Sequence, residues 1–354
     1  MRNLYVSTYL APYRLDLCTY LHDKCGFEIF HYMEDTDNCF SEEELMEGAG
    51  FVNHHLPTRR LMGKSYAPGL KALLEQYRPE VVMVQEFSLI CIQLLHYRKR
   101  FGYRLLSICD DSIDMIEGND FSLTHRMARK MIPSKVDDVI VHSPETLRWY
   151  GEHFGKGMMM PIIPDEKRFR DELVKARERS EALRETLGPS GTRLIVFVGR
   201  VVGLKNIPLL LEAFSALGRD DVRLVIIGDG DKMDMVRKTA GRNVSFTGPV
   251  GGKELYAWYN LADILVLPSY REAFGAVVGE ALISGCLAVV SDKVGSSSLI
   301  REGENGYLFT SDSAVSLREK LSAALDSLGP RPELSLRPCL LPCSFGECIS
   351  NLKI

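Results

Sequence analysis

Residues 262–292 read ADILVLPSYREAFGAVVGEALISGCLAVVSD, and their order decides the fold. "DILVLPS" (263–269) and "LAVVSD" (287–292) are short apolar runs bounded by turn residues, and a segment of helical pattern lies between them. A strand, a helix and a strand in about thirty residues make a βαβ unit, whose two strands lie parallel. The turn "PSYREAFG" hands over to a helix read from Gly275 to about Ser284. Glu272 is then placed at the helix entrance, where free amides and the positive dipole end favour an anion. Glu280 falls among Val277, Val278, Ala281, Leu282 and Ile283, so burial is expected, about 12 Å further along the helix. A buried carboxylate is costly unless donors reach it. Hydroxyls of a sugar or ribose would serve, and so would an ion pair with a neighbouring helix.

The same rhythm runs through the chain. Strand patterns recur at 193–199, 222–228, 243–248 and 306–309 in the second half. In the first half they recur at 3–9, 27–33, 51–57, 81–87, 103–109 and 137–143, separated by helical segments such as 69–77 and 122–132. Between Glu166 and Ser190 the composition turns highly charged and ends in Gly, Pro, Ser and Gly, which reads as a solvated helix, a turn and a domain boundary. The expected organisation is a Rossmann-like domain over 1–165, a charged linker over 166–190 and a second Rossmann-like domain over 191–328. A terminal segment, 329–354, follows, with packing back on the first domain as one option. The fold class is α/β, with two doubly wound parallel-sheet domains facing a cleft.

Composition agrees with this. A chain of 354 residues exceeds the usual size of one hydrophobic core, and its 45% hydrophobic and 25% charged residues are those of a globular protein. A net charge of −4 gives no reason to expect nucleic acid as a partner. The start lacks a secretory pattern and no run approaches the roughly 18 apolar residues of a spanning helix, so a cytoplasmic location is expected. Nine scattered cysteines read as reduced thiols. Cys339, Cys343 and Cys348 lack a fourth ligand, so no metal is expected. The acidic stretch from Glu34 to Glu47 reads as a solvated loop, and the short basic runs at 97–100 and 125–130 as solvated faces, with peripheral membrane contact as the alternative.

Ligands of such sheets bind at the carboxyl ends of strands, so the loops there carry the chemistry. "VGRVVGLKN" (198–206) offers Gly199, Arg200 and Lys205 before a helix, a set that suits a diphosphate, although a solvated loop would look similar. It is neither a Walker loop nor a GxGxxG fingerprint. "VIIGDGDKMD" places Gly228, Asp229 and Gly230 at a strand end, where turn chemistry alone accounts for them. Gly248, Pro249 and Val250 form a further turn with a flat edge that could hold a nucleobase.

Taken in order and spacing, these loops over residues 193–325 resemble the donor half of retaining GT-B glycosyltransferases of the family-4 type, the glycosyl transferases group 1. "IVHSPET" (140–146) and "MPIIPDEKRFR" (160–170) resemble the family more weakly. The resemblance implies transfer of a sugar from a nucleotide diphosphate to an acceptor hydroxyl with retention, in polysaccharide or glycoconjugate biosynthesis. The partners it implies are a nucleotide sugar, which is a substrate rather than a cofactor, and a sugar, glycan or lipid-linked acceptor. By position, Arg200 and Lys205 correspond to the diphosphate-holding pair. Glu272 and Glu280 correspond to the two glutamates of the E-x7-E motif, at the sugar and the ribose, with the Ala273, Phe274 and Gly275 backbone beside the sugar. Pro249 and Val250 fall where the family cradles the base, and Gly199 and Gly228 line the donor loops.

Two stretches depart from the family pattern. "STYLAPYRLD" (7–16) lacks the usual glycines, and its Arg14 reads as a helix-start residue. "SICDDS" (107–112) has Asp110 and Asp111 where many relatives have a sugar-contacting histidine; a donor-sugar contact and a helix cap are both open there, and Glu86 is a weaker candidate of the same kind. A GT-B nucleotide-sugar epimerase and a non-catalytic nucleotide-sugar-binding subunit are the alternative readings.

Overall fold

The computed structural model describes residues 3–33, 45–46, 49–61, 63–118, 122–187, 189, 191–330 and 336–354. Most of the acidic stretch 34–47 lies outside them. The chain divides into two compact units, residues 1–161 with 348–354, and residues 162–347.

The first unit holds strands β1 (Asn3–Ser7), β2 (Phe27–His31) and β3 (Asn53–His55), then a separate antiparallel pair, β4 (Arg59–Leu61) and β5 (Lys64–Tyr66). Strands β6 (Val81–Gln85), β7 (Arg104–Ile108), β8 (Asp138–Val141) and β9 (Met158–Met159) complete it. Its seven-stranded parallel sheet runs β3-β2-β1-β6-β7-β8-β9. The inner strands are apolar throughout because helices cover both faces; Leu4, Tyr5 and Val6 of β1 are fully buried, as are Val82, Met83 and Val84 of β6. Serine caps start the covering helices: Ser88 Oγ accepts from Cys91 N–H, and Ser143 Oγ from Thr146 N–H just before Pro144.

The second unit contains β10 (Arg193–Val198), β11 (Val222–Ile227), β12 (Val244–Gly248), β13 (Ile264–Leu267), β14 (Leu287–Ser291) and β15 (Gly306–Phe309). They order as β12-β11-β10-β13-β14-β15, all parallel, the doubly wound arrangement of a dinucleotide-type sheet. The opening stretch is the expected βαβ unit, with β13 and β14 paired from Ile264 opposite Leu287. Its helix is shorter than expected, Val277–Ile283.

The charged stretch expected as a linker is instead folded into this unit as two helices, Glu166–Lys175 and Arg177–Arg184. Phe169, Leu173, Ala176, Ser180 and Leu183 recur every three or four residues and are buried, while the charges face outward. Phe169 stacks edge-on against Tyr256 at 5.0 Å, and Asn260 Nδ2 donates to Leu173 O at 2.8 Å.

Beyond the helix Ala314–Ser327, the proline-containing tail returns along the same unit. Arg337 donates to Tyr259 O at 2.8 Å, Ala262 O at 2.6 Å and Ser284 O at 3.1 Å, the last carbonyls of two helices. Leu340 N–H donates to Leu282 O at 2.8 Å. Residues Cys348–Ile354 belong to the first unit, where Arg104 donates to Lys353 O.

Candidate active site

In the second unit the strand order reverses between β10 and β13, so the loops leaving those strands diverge and open a crevice at their carboxyl ends. Both loops expected to carry donor chemistry lie there. Loop 199–206 is tied to loop 228–232 through the backbone: Gly199 N–H donates to Ile227 O (2.9 Å), Val201 N–H to Asp229 O (2.8 Å) and Lys232 N–H to Val201 O (3.0 Å). The approach is so close that a Cβ on Gly228, whose φ is 135°, would lie 2.0 Å from Gly199 O.

Lys205 ends a short 3-10 turn, and Asn206 in left-handed conformation starts the helix Ile207–Ser215. Across the crevice, Tyr270 N–H donates to Leu204 O at 3.0 Å and locks loop 268–276 to loop 199–206. This brings the Lys205 ammonium to 2.7 Å from Glu272 Oε1, while Ser269 Oγ donates to Glu272 Oε2 at 3.0 Å. Both partners of the pair keep some exposure, 17% for the lysine and 23% for the glutamate side chain. Burial of this degree leaves an ion pair that an incoming anion can rearrange at modest cost.

Glu272 is not at a helix entrance. It precedes the helix by five residues and lies in an extended strip bridged to Val294: its N–H donates to Lys293 O (3.3 Å), its carbonyl accepts from Gly295 N–H (3.1 Å), and Phe274 O accepts from Ser296 N–H (2.8 Å). The spacing of about 12 Å along one helix therefore does not apply, since residues 272–276 are not helical. Phe274 is buried, Ala273 half-buried, and Gly275 turns at φ 90° with its α-carbon facing Leu267.

Glu280 is half-buried rather than enclosed, and a protein donor already serves it: Tyr259 Oη donates to Glu280 Oε2 at 2.6 Å. Burial and the neighbouring carboxylate both hold the Tyr259 phenol well above its ordinary value, so it stays a donor. Arg200 is exposed after Gly199, Pro249 is exposed and Val250 half-buried beyond β12. Gly228 N–H donates to Gly248 O at 2.9 Å, which sets the 249–250 turn beside the glycine loops.

The first unit has its own reversal, between β1 and β6, and a polar cluster stands at those strand ends. Asp110 is its hub: Arg14 pairs with Oδ1, His142 Nε2 lies 2.7 Å from the same oxygen, and Gln85 Nε2 donates to Oδ2 at 2.7 Å. Burial works against the Asp110 charge, yet Arg14 and His142 outweigh it and hold the carboxyl well below the usual carboxylate range. Arg14 stands at a helix start, as the residue before Leu15–Cys25, but its side chain is buried and serves as an ion-pair partner. Asp111 is buried and turned inward, paired with Arg129 and accepting from Cys109 Sγ at 3.1 Å, so its carboxylate braces the unit. Glu86, in left-handed conformation at φ 63°, accepts Asp110 N–H at 3.0 Å through Oε1 while Oε2 is buried without a partner. Burial first, and the Asp110 charge second, raise it from its ordinary value to about 7.

Glu86, Cys109 and Asp111 bring three potential ligand atoms within 4.8 Å of one another. The chemistry fits a metal poorly, because burial pushes the Cys109 thiol up and Asp111 is already neutralised by Arg129. Gln85 and His142 were not singled out from sequence. The signal was present: each stands at the carboxyl end of an adjacent strand, β6 and β8, on either side of the strand that leads to Asp110.

Residues 192–327 match the family described as glycosyl transferases group 1. The second unit carries that family's sequence pattern over these residues. Over 314 residues the chain is 29% identical to a GDP-mannose-dependent alpha-mannosyltransferase of Corynebacterium glutamicum, covering 80% of the chain and 69% of that protein. It is 29% identical over 205 residues to a D-inositol 3-phosphate glycosyltransferase of Xylanimonas cellulosilytica, covering 54% of the chain and 48% of that relative, about half its length. Among solved structures, HepE of Anabaena in complex with UDP superposes with a TM-score of 0.72 at 16% identity, over 92% of this chain and 90% of that one. Sucrose-phosphate synthase of Thermosynechococcus elongatus gives 0.71 at 17% identity, over 99% and 95%. These likenesses show the GT-B fold. Among the described residues no helix is long and apolar enough to cross a membrane.

Proposed function

We propose that this glycosyltransferase moves a sugar from a nucleotide diphosphate sugar to an acceptor hydroxyl with retention of anomeric configuration. The observation that carries this is the Lys205–Glu272 pair, 2.7 Å apart on loops from the two strands where the sheet order reverses. When a diphosphate enters, Lys205 turns from one anion to another, with Arg200 beside it, and Glu272 becomes available to a sugar hydroxyl. Glu280 accepts from ribose hydroxyls while Tyr259 fixes its orientation, and the 249–250 turn borders the base. In the transfer the bond from the anomeric carbon to the leaving phosphate breaks, and the acceptor oxygen bonds to that carbon from the same face. The acceptor proton passes to the departing phosphate oxygen. Fixed cations at that oxygen stabilise the charge it gains, and removing one such group costs about 100- to 1000-fold in rate.

We assign the reaction no cofactor. On the first unit Asp110, at 23% side-chain exposure, is the carboxylate placed to meet a hydroxyl, and Asp111 is not. The donor base is left to experiment, since the relatives' names include both GDP-mannose and UDP. The acceptor is a sugar, glycan or lipid-linked sugar in glycoconjugate or polysaccharide synthesis, reached from the cytoplasm with peripheral contact to the inner membrane face. Screening UDP-, GDP- and ADP-sugars by thermal shift, then by transfer, tests the reading. Lys205→Ala and Glu272→Ala should each lose about 100-fold or more in transfer while melting cooperatively. Full activity in both would overturn it.

A further inference from the structure

Both oxygens of the Glu272 carboxylate are served by the protein, and the two donors differ in kind. At Oε2 the donor is Ser269 Oγ, 3.0 Å away on a fully buried, uncharged residue. At Oε1 it is the Lys205 ammonium, 2.7 Å away, a cation that attracts other anions too. The backbone around the pair is fixed. Glu272 is strapped to Lys293 O and Gly295 N–H, and the Tyr270 N–H bond to Leu204 O joins the two loops. Any exchange of partners therefore falls to the side chains. The lysine end lies over Gly199, where a Cβ would come within 3.8 Å of Cε and 3.9 Å of Nζ, so the glycine keeps open the space beside the ammonium.

A diphosphate at loop 199–206 and the Glu272 carboxylate compete for this one ammonium. Bridging both would set a phosphate beside a carboxylate, which like-charge repulsion opposes. When Lys205 turns to a diphosphate, Oε1 loses its donor while Ser269 holds Oε2 in place. The side chain is only 23% exposed, so a carboxylate short of a donor there is penalised. A hydroxyl of a sugar carried on the same diphosphate removes that penalty by donating to Oε1. A nucleoside diphosphate without its sugar cannot.

We propose that Glu272 is an internal competitor for Lys205, which opposes a bare nucleoside diphosphate and yields to the intact nucleotide sugar. Ser269 is the positioning residue that keeps the competitor in reach. The inference rests on the donor reading above and goes beyond it: the carboxylate that meets the sugar also loosens the spent nucleotide once the sugar has gone.

The test is calorimetric titration of the full chain with UDP, GDP and ADP, and with the glucose and mannose conjugates of whichever binds. Glu272→Gln removes the charge and keeps an acceptor for Ser269, so it should tighten the bare diphosphate by about 5-fold. It should not tighten the nucleotide sugar. In a Lys205→Ala background the same substitution should leave diphosphate affinity nearly unchanged. Wild-type crystals with the bound diphosphate should show Lys205 on a phosphate oxygen and parted from Glu272. An unchanged affinity in Glu272→Gln would overturn the proposal. Equal tightening with and without Lys205 would also overturn it, by reducing the effect to plain charge repulsion. So would a wild-type complex that retains the Lys205–Glu272 pair, however the variants fold. No binding of any of the three diphosphates by the wild type would sink the function proposed above, and this inference with it.

Discussion

Replacing Glu86 with glutamine should stabilise the first unit at alkaline pH and leave it unchanged at acid pH. One carboxylate oxygen of Glu86 accepts the Asp110 amide at 3.0 Å, and the other is buried without a partner. Burial, with the adjacent Asp110 charge, raises the carboxyl from 4.5 to about 7. Below the lower value the residue is protonated in both folded and unfolded chains, and its contribution is fully present. Between the two values the fold keeps a proton that the unfolded chain has released, so stability falls as pH rises. Above about 7 the folded carboxyl ionises as well, and the whole loss, about 3 kcal/mol at most, has been incurred. Glutamine keeps the carbonyl acceptor for Asp110 N–H and never ionises. Thermal unfolding at about pH 8 should therefore rise by several degrees relative to wild type, with the difference vanishing near pH 4. An increment of the same size at both pH values, or a loss at about pH 8, would refute the reasoning.

Asp110→Asn should act in the opposite direction, costing about 3 kcal/mol because it strands the buried Arg14 charge; an unchanged melting temperature at neutral pH would show the pair to be dispensable. Gly228→Ala should be at least as harmful, since its Cβ would meet Gly199 O at 2.0 Å and φ is 135°. Loss of nucleotide-induced thermal shift should accompany it, and an alanine variant that binds nucleotide normally would mean the two loops are not rigidly joined.

Much of the donor unit was legible because its signals are local. Strand runs such as 264–267 and 287–291 alternate with helices over short spans, and the loops between them keep Lys205 and Glu272 at fixed places after their strands. Reading Glu272 as a helix-entrance residue failed because helical composition begins before helical geometry: Gly275 at φ 90° and the bridge from Glu272 to Val294 keep residues 272–275 out of the helix. Helix was legible over 166–184, but its packing into the second unit was hidden by charge, since a sparse apolar seam every three or four residues is easily lost among ten or more charged neighbours. The Arg14–Asp110–His142 cluster was missed for another reason. Its members are 96 and 32 residues apart from their hub, and only the parallel register of β1, β6, β7 and β8 brings them together.

Arg337 bears on where the second unit ends. A fragment cut after residue 328 would include the crevice loops 199–206, 228–232 and 268–276, yet it would remove the guanidinium that donates to the Tyr259, Ala262 and Ser284 carbonyls, three acceptors on buried residues. Those carbonyls terminate the helix that supplies Tyr259 and the helix that supplies Glu280. The proline-containing tail is therefore a clasp for the end of the crevice where Tyr259 meets Glu280, and its integrity sets how sharply Glu280 is aimed.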